Sequence, residues 1–122
     1  MSKPVIVQWD ADAYREFTAL QQAVTSRQHQ ATTPSNEQLL SSINNAIKNL
    51  KANPFYGDLI PRKYLSTKII NKYGTDKILR IALVGYWRLL YTIVGEEAHI
   101  IAFILEYMDH PSYDKLFNYK KR

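Results

Sequence analysis

The stretch from Lys77 to His110, KILRIALVGYWRLLYTIVGEEAHIIAFILEYMDH, constrains the fold more than any other part of the chain. Apart from Gly85-Tyr86 and the polar corner Gly95-Glu96-Glu97, it is dominated by Ile, Leu, Val, Tyr, Phe and Trp, residues that suit a pleated, half-buried surface. Two turns between three such runs predict an antiparallel meander. In the first two runs Leu79, Ile81, Leu83 and Trp87, Leu89, Tyr91, Ile93 occupy the odd positions, while Arg80 and Arg88 occupy even ones. A period of two puts both arginines on the face opposite the core.

The length of the first turn decides whether the arginines meet. A two-residue turn pairs Leu83 with Arg88 and mixes the faces. A three-residue turn at Val84-Gly85-Tyr86 pairs Leu83 with Trp87 and Ala82 with Arg88, keeps one face apolar, and is therefore the expected register. Arg80 then lies diagonal to Arg88, roughly 7–8 Å away at the backbone. Two guanidinium groups so placed would grip an anion such as a phosphate.

What precedes the meander reads as its packing. At 122 residues the chain makes one domain, residues 1–122, with no internal repeat or linker. Pro4 to Trp9 predicts a strand, and Asp10 is a good N-cap for a helix carrying Tyr14, Phe17, Leu20 and Val24. After Pro34, Ser35-Asn36-Glu37-Gln38 fits a capping box. It opens a second helix with the stripe Leu39, Leu40, Ile43, Ala46, Ile47, Leu50, which Asn53-Pro54 and Gly57 end. Residues 58–76 predict a loop and a short helix stopping near Gly74. The expected class is α+β: an N-terminal strand and two helices packed on an antiparallel meander.

Charge points toward a polyanion. Against a formal net charge of +5 for the whole chain, residues 51–95 alone carry +6, with eight Lys or Arg and two Asp or Glu. Arg62, Lys63, Lys68 and Lys72 alternate with Tyr64, Leu65, Ile69, Ile70 and Tyr73, and Lys77 follows. Such interleaving can line a nucleic-acid groove through phosphate attraction and base stacking. The competing reading is that Leu65, Ile69 and Tyr73 cap the sheet while the lysines face water. The sequence has no cysteine, which excludes a disulfide framework, a thiolate metal site and a cysteine nucleophile. His29, His99, His110 and the acids show no metal-ligand spacing, and no phosphate-cradling glycine loop or serine-nucleophile motif is present; no metal or cofactor is expected. With no apolar run of membrane-spanning length and no signal peptide, a cytoplasmic protein is expected.

His110 follows the last strand, and Pro111 breaks that strand. A histidine there can exchange protons near neutral pH, or can simply end the strand. The runs GYWRLLYTI (85–93) and DHPSYDKLFNY (109–119), in the order strand, helix, helix, meander, resemble the RelE/ParE toxin superfamily over essentially the whole chain. What the resemblance implies is a RelE-like fold and a metal-free endoribonuclease that cuts messenger RNA, at the ribosome in the best-known members, and is neutralised by a cognate antitoxin. Arg88 matches the family's strand arginine. Arg80 matches a basic strand position if one residue is inserted between the two runs. His110 matches a histidine that serves as general acid or base, and Tyr113 a tyrosine that contacts the base or moves a proton. The first meander strand offers Lys77, Arg80 and the preceding Asp76 where relatives have a lysine pair or a glutamate, so the general base has no assigned residue. The ParE branch, which inhibits gyrase by protein binding, shares the fold, so a non-catalytic toxin and a non-toxic nucleic-acid-binding module stand as alternatives.

Overall fold

A computed structural model of the chain describes residues 3–26 and 34–117. His29 and the tail residues 118–122 lie outside them. Strand β1 (Val5–Trp9) leads into helix α1 (Ala11–Thr25), where the Asp10 carboxylate accepts from the amides of Asp12 and Ala13. Helix α2 (Asn36–Ala52) opens on the expected capping box, with Ser35 Oγ accepting from the Gln38 amide and Gln38 Oε1 from the Ser35 amide. A two-residue strand β2 (Asp58–Leu59), a 3-10 turn (Arg62–Tyr64) and helix α3 (Thr67–Tyr73) follow. Helix α3 stops at Gly74, whose φ of 71° is the left-handed C-terminal conformation that glycine adopts without strain. Then come β3 (Leu79–Ala82), β4 (Arg88–Gly95), β5 (Ile100–Met108) and helix α4 (His110–Phe117).

The strands form one mixed sheet in the order β1-β5-β4-β3-β2, in which only β1 and β5 pair in parallel. The meander register is the expected one. Ala82 stands opposite Arg88, Arg80 opposite Leu90, and the Leu83 amide donates to the Trp87 carbonyl at 2.8 Å across the three-residue turn Val84–Tyr86. Between Leu90 and Tyr91 of β4 the register slips, leaving Leu105 of β5 without a partner on β4. Leu105 joins the core on the α3 side, and Glu106 bonds a side chain of α3.

Odd and even positions on β3 and β4 both meet apolar layers. Leu79, Ile81, Leu89 and Tyr91, with Ala102, Ile104 and Tyr107 of β5, pack on Phe17 and Leu20 of α1 and Leu39, Ile43, Ala46 and Leu50 of α2. On the other face Leu90, Leu105 and Met108 pack with Ile60, Leu65, Ile69, Tyr113 and Phe117. The face that carries the arginines is thus covered by α3 and α4, rather than being an open outer surface. This corrects the sequence expectation, and the reason is physical: Leu90, on an even position, is completely buried and needs a partner layer. Arg80 and Arg88 sit half-buried in that layer. Among the described residues no helix is long and apolar enough to cross a membrane.

Candidate active site

Residues His110–Phe117 form a helix, where the sequence showed only that Pro111 breaks the strand. Proline is tolerated in a first helical turn because the amide it lacks would have no intrahelical partner there. The Asp109 carboxylate accepts from the Ser112 amide at 2.9 Å, and the Asp109 carbonyl from the Tyr113 amide at 3.0 Å. The bonds from Ser112 hold the Asp109 carboxyl below the usual carboxylate range. Three- and four-residue spacing then puts His110, Tyr113 and Asp114 on one face of α4. His110 Nε2 lies 3.1 Å from Asp114 Oδ2.

That face of α4 packs on the arginines. Arg80 Nη1 donates to the Tyr113 hydroxyl at 2.8 Å, and the Arg88 guanidinium lies 5.7 Å from the centre of the Tyr113 ring. Arg88 also donates to the carbonyl of Trp87 at 3.0 Å, which fixes its base at the start of β4. Tyr113 is 3% exposed, so its ring is a fixed part of the wall. The diagonal register and the helix together close a cleft of about 410 Å³ lined by Asp58, Arg80, Ala82, Arg88, His110, Tyr113 and Asp114. Asp58 arrives there because β2 sets it opposite Arg80. All four residues expected to be catalytic, Arg80, Arg88, His110 and Tyr113, are therefore brought together.

Sequence reasoning missed three neighbours. Asp114 has a legible signal, its four-residue spacing from His110, but only once residues 110–117 are taken as helix. Asp58 lies on a strand too short to show a period. Tyr86, whose ring centre is 5.9 Å from that of His110, shows itself through its positive φ of 64°.

The basic residues of 58–77 lie elsewhere. Arg62 is paired with Asp76, and Lys63 stands over the Tyr64 ring at 5.2 Å. Lys72 is 4.0 Å from Glu106 and 5.6 Å from the centre of the Tyr73 ring. With Lys68 and Lys115 it lines a groove of about 480 Å³ between α3 and α4. Lys77 is exposed just before β3, its carbonyl taking a 2.6 Å bond from Thr92 Oγ1. None of these five residues lines the cleft of the arginines. Leu65 and Ile69 are buried and Tyr73 packs against them, so this segment does cap the sheet. A larger cavity of about 520 Å³, between α1 and Glu106, shares no residue with the arginine cleft. Among the described residues no group of three or more His, Asp or Glu is placed to hold a metal ion.

No protein-family model matches the chain, and no curated protein sequence matches it. A solved structure does: a YoeB/ParE toxin from Agrobacterium tumefaciens superimposes over 90% of this chain and 99% of its own, with a TM-score of 0.53 and 15% sequence identity. The chain has the fold of a YoeB/ParE toxin. The RelE/ParE-like architecture implied by the WRLLY strand and the DHPSY tail is thus present, and in it those two motifs meet at one cleft.

Proposed function

We propose that this protein is a toxin of the toxin–antitoxin type, and that it acts in the cytoplasm as a metal-independent endoribonuclease on ribosome-associated messenger RNA. The observation that carries the reading is the convergence of two guanidinium groups, a tyrosine hydroxyl bonded to one of them and a histidine–aspartate pair in a single cleft. The 2′-OH of a ribose attacks the adjacent phosphorus, the P–O5′ bond breaks, and the product ends in a 2′,3′-cyclic phosphate. Arg80 and Arg88 hold the phosphate and stabilise the charge that develops on its non-bridging oxygens. Neither can move a proton near neutral pH.

Proton transfer falls to α4. With Nε2 of His110 donating to Asp114, the carboxylate fixes the ring's orientation and leaves Nδ1 to take the proton of the attacking 2′-OH. The base missing from the first meander strand is thereby supplied by the helix. Tyr113 Oη, which accepts from Arg80, is the group that protonates the departing 5′-oxygen in this reading.

The partner in this reading is an antitoxin whose acidic or amphipathic segment lies across the cleft. Exposed Phe55, Tyr56 and Leu59, on the segment that carries Asp58, offer such a partner apolar contacts next along the chain from the cleft. Expressing the chain alone and mapping RNA ends tests the proposal. New RNA ends at growth arrest are expected; arrest with intact messages would instead favour a toxin that acts by protein binding.

A further inference from the structure

We infer that Tyr86 is a base-stacking residue of this cleft, its ring taking a nucleobase next to the scissile phosphate of single-stranded RNA. The inference rests on the RNA-cleaving reading above and deepens it by placing a base. Among the described residues Tyr86 is the one non-glycine with positive φ, at 64°, a conformation that a bulky L-residue adopts only under constraint. Burial does not offset that strain, because Tyr86 is 71% exposed.

The constraint comes from the turn's neighbours. The Val84 amide donates to Ser42 Oγ of α2 at 3.0 Å, and the Leu83 amide to the Trp87 carbonyl at 2.8 Å. Gly85, with φ 65°, sits so close to Pro34 that a Cβ there would lie 2.6 Å from Pro34 Cδ. A turn pinned on both sides thus holds an exposed aromatic ring against His110, a residue of the cleft lining, with the two rings tilted 51° at 5.9 Å. A base stacked on that ring sends its ribose and phosphate toward His110 and the arginines. Every base has a π-face, so the contact strengthens RNA binding without demanding one base. An exposed tyrosine also suits a protein interface. Its contact with the proton-transferring histidine, beside two arginines, favours a polyanion carrying rings.

Cleavage kinetics on a reporter messenger RNA in a cell-free translation extract separate the possibilities, using wild type, Tyr86→Phe and Tyr86→Gly. Glycine adopts the left-handed conformation freely, so Tyr86→Gly should melt no lower than wild type, which excludes unfolding as the cause of any loss. The expected result is a KM raised about 10-fold to 100-fold in Tyr86→Gly with kcat retained, the size of one base–aromatic stack, and near-wild-type kinetics in Tyr86→Phe. A wild-type KM in Tyr86→Gly, or a loss confined to kcat, overturns the inference and leaves the cleavage reading standing. A wild-type protein that cleaves nothing overturns both.

Discussion

Replacing Tyr91 with phenylalanine should loosen the wall of the cleft by a calculable amount. The Tyr91 ring is completely buried, and its hydroxyl donates to the Pro54 carbonyl at 2.8 Å while accepting from the Gly57 amide at 2.9 Å. Those bonds tie the segment after α2 to β4, just before Asp58 enters the sheet opposite Arg80. The fit is tight, since a Cβ on Gly57 would lie 2.6 Å from the Arg80 carbonyl oxygen. Removing one oxygen therefore leaves two polar groups without their partner. Gly57 is half-buried, so water can replace its bond and the loss is about 1 kcal/mol; the Pro54 carbonyl stays dry beside the ring and costs about 1–2 kcal/mol more. For a domain of this size a total of about 2–3 kcal/mol lowers the melting temperature by roughly 10 °C. Thermal unfolding followed by far-UV circular dichroism measures it. A Tyr91→Phe protein that melts with wild type would refute the reasoning, by showing that something other than this hydroxyl holds residues 54–57.

His110→Ala should lower the cleavage rate by about 10²-fold to 10⁴-fold without loss of folding, the usual contribution of general acid–base catalysis. Asp114→Asn should lower kcat by less, because the pair is partly exposed and water can also orient the ring; equal rates for wild type and His110→Ala would remove the histidine from the mechanism. RNA affinity should fall with salt, with a log–log slope of about −0.7 for each phosphate neutralised on a single strand, and Arg88→Ala should flatten it by about one such increment. A slope unchanged from wild type would place Arg88 away from the phosphate. Alkali should unfold the protein through its buried tyrosines. Burial, with Glu16 nearby, pushes Tyr107 up to about 12, and burial also raises Tyr91 and Tyr73, the last bonded to Glu106. A pKa raised in the folded state means full stability below about pH 10, the unfolded value, and loss as pH climbs through about 12. Tyr107→Phe should flatten the urea midpoint between those limits, and an unchanged profile would count against its burial.

The meander register was legible because two local rules agreed. Period-two alternation fixed the faces of β3 and β4, and the need to keep Leu83 and Trp87 on one face fixed the length of the turn. The caps at Asp10 and Ser35 were legible for the same reason: each is a contact within three residues. Pairing of β1 with β5 spans most of the chain, and no local pattern encodes it. Helix α4 was hidden by Pro111, which breaks a strand and opens a helix equally well; only the Asp109 cap decides between them. With α4 unseen, Asp114 could not be placed beside His110, and the arginine face looked open when it is roofed by α3 and α4. Convergence of Arg80 and Arg88 followed from sequence periodicity, whereas the histidine–aspartate pair needed the helix.

The most direct test is the end chemistry of messenger RNA cut by the protein on ribosomes. The account predicts 2′,3′-cyclic or 3′-phosphate ends paired with 5′-hydroxyls, and that Arg88→Ala and His110→Ala each suppress their formation. Fragments carrying 5′-phosphate and 3′-hydroxyl ends would contradict it.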